Sequence, residues 1–153
     1  MISIETASIK DLNSLRQLEK ICFPIDNWPL LDLIGVLTMP GVVRFKATFI
    51  DNFIGFIAGS IKTRNSVGWI TTIAVLPEYQ NRGIAQQLLQ ECENKMNVEK
   101  ILLTVRKSNS RAIRLYEKNG YFIHEIWKSY YIDGEDAILF QKRVDNYFKH
   151  SYD

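Results

Sequence analysis

The stretch from Val67 to Val105 constrains the fold most. Val67-Gly68-Trp69-Ile70-Thr71-Thr72-Ile73-Ala74-Val75 is largely apolar on both faces, as a central strand requires. After Leu76-Pro77 the period changes. Ile84, Leu88, Leu89, Cys92 and Met96 recur at spacings of three and four, which predicts a helix with one buried stripe. Lys100-Ile101-Leu102-Leu103-Thr104-Val105 then returns to strand composition. A strand, helix, strand order implies a parallel, right-handed crossover.

The rest of the chain adds antiparallel pieces. Ile2 and Ile4 alternate with polar residues, as in a short strand. Ser8, with Asp11 three residues on, caps a predicted helix whose buried stripe is Ile9, Leu12, Leu15, Leu18, Ile21 and Cys22. That helix should stop at Phe23-Pro24. Residues 23–29 carry two prolines and form a loop, in which Phe23, Ile25 and Trp28 either anchor on the core or line a pocket. A short helix follows over residues 30–37. Residues 43–50 and 53–62 flank Asp51-Asn52 as a hairpin turn. Ser108 to Asn119 reads as a helix closed by Gly120, and residues 121–128 and 137–143 as a hairpin around Asp133-Gly134. Residues 145–153 form a polar tail.

A chain of 153 residues with 46% apolar and 24% charged residues suits one core, expected over residues 1–144. The net charge of +2 gives no electrostatic ground for a nucleic-acid or membrane partner. Met1-Ile2-Ser3-Ile4-Glu5 lacks a basic stretch followed by an apolar one, and no uninterrupted apolar run could span a bilayer, so a cytoplasmic protein is expected. Cys22 and Cys92 each sit in an apolar helical pattern and read as core thiols. No metal-ligand cluster is visible; of the two histidines, His124 reads as a half-buried strand residue and His150 as part of the tail.

Chemistry concentrates first in Gln80-Asn81-Arg82-Gly83-Ile84-Ala85, which ends a turn and opens a helix. Backbone N–H groups at a helix start have no intrahelical acceptor and lie at the positive end of the dipole, which makes an anion site. Gly83 lets the chain approach a diphosphate closely, Ala85 keeps the next turn small, and Gln80 and Arg82 add donors or charge. Alone, the string is weak, since Gly83 could as well ease helix packing.

In context, with Val75, Pro77 and Tyr79 before it, the loop resembles the Q/R-x-x-G-x-G/A signature of the GNAT acetyltransferase superfamily. Residues 105–121 resemble that superfamily's V-R-x-S-N-x-x-A-I-x-L-Y-E-K-x-G-F block. The resemblance implies a mixed, mostly antiparallel α/β (α+β) fold, with about seven strands and four helices around a β-α-β acetyl-CoA-binding core. It assigns the cosubstrate acetyl-CoA to Ile73, Ala74 and Val75, to residues 80–85 (Gln80, Asn81, Arg82, Gly83, Ile84 and Ala85), and to Asn109 and Tyr116. Tyr116 would also protonate the departing thiolate. On their own, Asn109 could serve only as a helix cap and Tyr116 could only pack on Ala112.

Ser129-Tyr130-Tyr131-Ile132-Asp133-Gly134-Glu135-Asp136-Ala137 resembles the Y-Y-x-D-G-E-D-A hairpin of N-terminal amino acid acetyltransferases, archaeal and eukaryotic, and more distantly the ribosomal-protein alanine acetyltransferases. There the paired tyrosines hold the first residues of a peptide. Phe23-Pro24-Ile25 resembles the segment that lines an apolar pocket for a first methionine, while Asp26 keeps small first residues open as an alternative. The implied partner is a protein or peptide N-terminus; ribosome association and an auxiliary subunit are left open.

Two positions depart from the pattern. Many relatives carry Glu or His at the position of Thr104, and some Tyr at that of Trp69; neither residue here can act as a base near neutral pH. An α-amino group titrates near pH 8, so direct attack with water-mediated deprotonation is the expected mechanism. Rival readings are a GNAT enzyme for a small amine, which has no need of Tyr130-Tyr131, and a module that binds acetyl-CoA without catalysis.

Overall fold

Among the described residues, β1 (Ile2–Thr6), β2 (Val42–Phe49), β3 (Asn52–Lys62), β4 (Val67–Val75), β5 (Lys100–Arg106), β6 (Phe122–Trp127) and β7 (Ala137–Arg143) form one sheet in the order β1-β2-β3-β4-β5-β7-β6, with four helices longer than a single turn. The protein is described by a computed structural model covering residues 1–62, 64 and 66–144. The expected polar tail, with His150, lies outside the described residues. The mixed, mostly antiparallel architecture matches the expectation, and β4 and β5 run parallel from Val67↔Lys100 to Trp69↔Leu102, as the crossover requires.

Chain contacts divide the molecule into two compact units. The first comprises Met1–Ile61 and Ile70–Met96. It holds β1 (Ile2–Thr6), β2 (Val42–Phe49), most of β3 (Asn52–Lys62) and the second part of β4 (Val67–Val75), with α1 (Leu12–Cys22), α2 (Leu30–Thr38) and α3 (Ile84–Met96). Leu15 and Leu18 of α1, Leu33, Val36 and Leu37 of α2, and Phe56, Ala58 and Ala74 of the sheet form one buried cluster. At the C-terminal end of α2, Arg44 Nε donates to Val36 O at 2.8 Å and Nη2 to the carbonyl of the cap residue Met39 at 2.6 Å.

Two local expectations need correction. The Ser8/Asp11 capping box is present, but it opens a short 3-10 turn, Ile9–Asp11, before α1 begins. Ile9 and Ile21 are 47% and 54% exposed, whereas Glu19 is 1% exposed, so the buried face of α1 is Leu15, Leu18 and Glu19, flanked by Leu12 and Cys22. The hairpin turn lies one residue earlier than Asp51-Asn52. Phe49 pairs with Asn52, which leaves Ile50 (φ 48°) and Asp51 (φ 62°) as a two-residue turn with both backbones left-handed.

The second unit comprises Lys62–Trp69 and the chain from Asn97 onward. It holds β5 (Lys100–Arg106), α4 (Ser110–Lys118), β6 (Phe122–Trp127) and β7 (Ala137–Arg143). The strand inserted between β5 and β6 is β7, antiparallel to both. Alternate residues Ile101, Leu103 and Val105 of β5 are buried, and so is Phe140 of β7. Edge strand β6 exposes Phe122, Ile123 and His124, so His124 is not half-buried as its strand setting suggested. Among the described residues, no helix is long and apolar enough to cross a membrane.

Candidate active site

The β4–α3 connection is shaped by a 3-10 turn, Pro77–Tyr79, in which Tyr79 N donates to Leu76 O at 2.9 Å. Asn81 and Gly83 then take φ values of 63° and 78°. This left-handed step is costly for a residue with a Cβ and free for glycine. The first α-helical bond runs from Gln87 N to Gly83 O at 3.1 Å. The N–H groups of Ile84, Ala85 and Gln86 therefore have no acceptor within the helix, and among the described residues no side chain caps them. A Cβ built on Gly83 meets nothing within 4 Å, so the space beside this backbone is open.

The side chains of this turn behave differently from the backbone. Gln80 Nε2 donates to Val75 O at 3.0 Å and so closes the turn onto the end of β4. The Arg82 guanidinium sits 5.4 Å from the centroid of the Tyr79 ring, itself 5.9 Å from Phe49. Ala74 and Val75 are buried and Ile73 half-buried.

In the same unit, the loop after α1 divides by exposure. Phe23 and Trp28 pack against the buried cluster, while Pro24 is exposed and Ile25 is 65% exposed. Asn27 Nδ2 donates to Pro24 O at 3.2 Å, and Asp26 is half-buried. The loop's root is Glu19, whose carbonyl accepts from Phe23 N at 2.8 Å. Its carboxylate reaches β4, where Thr72 Oγ1 donates to Oε1 at 3.0 Å. Oε2 is buried with no protein partner. Burial pushes this carboxyl up to about 6, against the lowering effect of the Thr72 hydrogen bond. Sequence reasoning missed Glu19, although it follows Leu12 and Leu15 at helical spacing and precedes Cys22 by three.

Cys22 donates to Val75 O at 3.5 Å. Burial, then the Glu19 and Glu78 carboxylates, push its thiol up to about 11, so it is an unreactive packing residue.

In the second unit, Asn109 is the N-cap of α4, its Oδ1 accepting from Ala112 N at 3.2 Å. Tyr116 is 4% exposed, with ring centroids 5.7 Å from Tyr121 and 5.9 Å from Phe140. Burial, and then the neighbouring Tyr131, raise its pKa well above the usual phenol range, which keeps the hydroxyl protonated. Thr104 and Trp69 are both half-buried strand residues, on β5 and β4.

The β6–β7 loop is held by the acidic residues of its motif. Arg106 Nη1 bonds Asp133 at 2.9 and 3.0 Å and Glu135 Oε1 at 2.9 Å. Glu135 Oε2 accepts from Ser108 N at 2.7 Å, and Asp136 Oδ1 from Ser129 N at 2.9 Å. Ser108 and Arg106 hold the Glu135 carboxyl below its ordinary range, and Arg106 does the same for Asp133. Gly134, at φ 88°, allows the turn in which its N–H reaches Tyr131 O at 2.9 Å. The Arg106 guanidinium lies 4.2 Å from the Tyr131 ring centroid, and Tyr131 meets Tyr130 edge-on at 5.1 Å. The structure thus brings Tyr116, Tyr130 and Tyr131 into one neighbourhood.

A family model described as acetyltransferase (GNAT) family matches residues 12–121. The N-alpha-acetyltransferase of Saccharolobus solfataricus is 33% identical, over 90% of each chain. The N-terminal acetyltransferase A complex catalytic subunit NAA10 of Arabidopsis thaliana is 28% identical over 94% of this chain and 79% of its own. The ribosomal-protein-S18-alanine N-acetyltransferase of Escherichia coli superposes with a TM-score of 0.87 at 25% identity, covering all of both chains. The chain belongs to the acetyltransferase (GNAT) family.

Proposed function

We propose that this enzyme transfers the acetyl group of acetyl-CoA to the α-amino group of protein or peptide N-termini, favouring Met or another apolar first residue. Membership of the family makes the chain an acetyltransferase with acetyl-CoA as cosubstrate. The pair Tyr130 and Tyr131, the second of them under the Arg106 guanidinium, carries the reading of the acceptor: a small free amine needs no such braced loop, whereas an extended peptide backbone does. The relatives named for N-terminal acetylation point the same way. Residues 1–144 act as one acetyltransferase domain, in the cytoplasm.

The residues present suit the cosubstrate. Uncapped N–H groups at the start of α3, open space beside Gly83 and the Arg82 charge favour a diphosphate. When bound, acetyl-CoA supplies an acetyl group activated as a thioester. Residues 80–85 hold the diphosphate and the backbone of residues 73–75 contacts the cosubstrate, and in the other unit Asn109 is the cosubstrate residue that the family motif implies. Phe23, Pro24 and Ile25 receive the first side chain of the peptide, and Tyr130 and Tyr131 its backbone. Tyr116 holds a proton on Oη for the leaving sulfur.

The test is acetyl transfer to peptides beginning Met-Leu, Met-Glu, Ser and Ala, with a lysine peptide whose N-terminus is blocked. Transfer to the α-amine, fastest for Met-Leu, is expected. Transfer only to the blocked lysine peptide, or to a free polyamine, would refute it.

A further inference from the structure

We infer that Glu19 is the proton acceptor for the substrate's α-ammonium group, reached through a water molecule bonded to its buried Oε2. The inference rests on the N-terminal acetyltransferase reading above and supplies what Thr104 and Trp69 cannot. Its ground is the placement of one side chain. Glu19 is 1% exposed, and its two ends join the two parts of the site found in its unit: the backbone carbonyl holds Phe23 of the acceptor loop, and the carboxylate holds Thr72, next to Ile73 of the cosubstrate strand.

A carboxylate oxygen sealed from solvent with no protein partner is a costly feature, and such groups are ordinarily bonded to a buried water. Here that water would be the first link from the carboxylate to the acceptor loop. Thr72 donates only to Oε1, which leaves both lone pairs of Oε2 for it.

The charged neighbourhood does not compensate the burial. On α1 the Glu19 carboxylate acts on the Cys22 thiol, on which the Glu78 carboxylate also acts; these groups are neutral or negative. The group of β4 that bonds Glu19 is the uncharged Thr72 hydroxyl. The resulting value of about 6 suits a base that must be ionised at neutral pH and still accept a proton during turnover.

In the transfer, one N–H bond of the α-ammonium breaks, a proton moves through the water, and an O–H bond forms at Oε2. The ammonium becomes a neutral amine and the carboxylate a neutral acid. The amine then attacks the thioester carbonyl, Tyr116 Oη gives its proton to the departing sulfur, the amine's second proton restores the tyrosine hydroxyl, and Glu19 returns its proton through the same water.

This scheme predicts a particular pH profile. The reactive pair is ammonium plus carboxylate, so kcat/KM for a Met-Leu peptide should be nearly flat between the Glu19 value and that of the amine, near pH 8. Glu19→Gln must instead capture amine that is already neutral. Between pH 6.5 and 7.5 its kcat/KM should rise about tenfold per pH unit, while the wild type stays within about twofold. Thr72→Val removes the bond that lowers Glu19, and should move the acid limb to higher pH with the plateau retained. A folded Glu19→Gln enzyme with the wild-type profile overturns the proposal. Should that variant not fold, an acid limb unmoved in Thr72→Val overturns it equally. Wild-type enzyme that acetylates no peptide N-terminus refutes the parent reading instead, and is seen before any variant is made.

Discussion

The Arg106 guanidinium carbon lies over Tyr131, 4.2 Å from its ring centroid, while the same group bonds Asp133 and Glu135. One planar group therefore fixes both the loop and the tyrosine it presents. Lysine cannot reproduce this, because an ammonium is a point charge without a face to stack. Arg106→Lys should weaken the loop's hold by about 1 kcal/mol, read as roughly a fivefold increase in peptide KM with kcat little changed. The split is checked by steady-state kinetics with the peptide varied at saturating acetyl-CoA. A fall in kcat alone would mean that Arg106 acts on the chemical step.

Gly83 separates backbone strain from ligand space. At φ 78° an added Cβ is strained, yet it meets no atom of the protein within 4 Å. Gly83→Ala should therefore cost about 1 kcal/mol of stability, a Tm decrease of about 2–4 °C for a chain of this size. Acetyl-CoA affinity should fall by more, since the methyl group occupies the space into which the diphosphate would bind. Thermal unfolding with and without acetyl-CoA checks both. Equal losses in the two conditions would show that the open space beside Gly83 is not the diphosphate site.

Tyr116 is buried by two aromatic rings, which Phe would keep in contact. Tyr116→Phe should thus fold normally and bind acetyl-CoA within about twofold of wild type, while kcat falls about 10²-fold through loss of the proton donor. Because burial keeps the phenol protonated, no alkaline limb below pH 9 should be attributable to it. Isothermal titration and steady-state rates together distinguish this from a role in packing alone, which would lower stability and leave kcat intact.

What the sequence shows depends on whether the physics is local. The β4–α3–β5 crossover is legible because strand composition, a helical stripe and a glycine at the turn all fall within some forty contiguous residues, on the order of one βαβ unit. The hairpin at Ile50 and Asp51 is less so: a β-branched residue in the left-handed region is disfavoured, and the pairing that imposes it depends on a register shift at Ala47 and Thr48. The acidic residues 133, 135 and 136 are recognisable as a motif, but the role of Asp133 and Glu135 depends on Arg106 and Ser108, contributed by β5 and the turn after it. Glu19 stayed hidden because a charged residue is counted against a buried stripe, and Thr72, which justifies its burial, is 53 residues away.

Glu19 also makes a prediction about stability that is independent of catalysis. Its carboxyl is raised from 4.5 to about 6 on folding. The native state therefore binds more protons than the unfolded state between these values, and stability falls as pH rises through them. The stabilisation from the protonated form is fully present below pH 4.5 and lost above pH 6, a change of about 2 kcal/mol by linkage. Glu19→Gln has no such proton to bind. Its buried amide adds an unbonded donor, a cost that does not vary with pH. The difference in unfolding free energy between variant and wild type should thus shift by about 2 kcal/mol in the variant's favour between pH 4 and pH 7.5. Urea unfolding at the two pH values measures this directly. A pH-independent difference would mean that Glu19 is solvated in the folded protein, and that its burial does not set its charge.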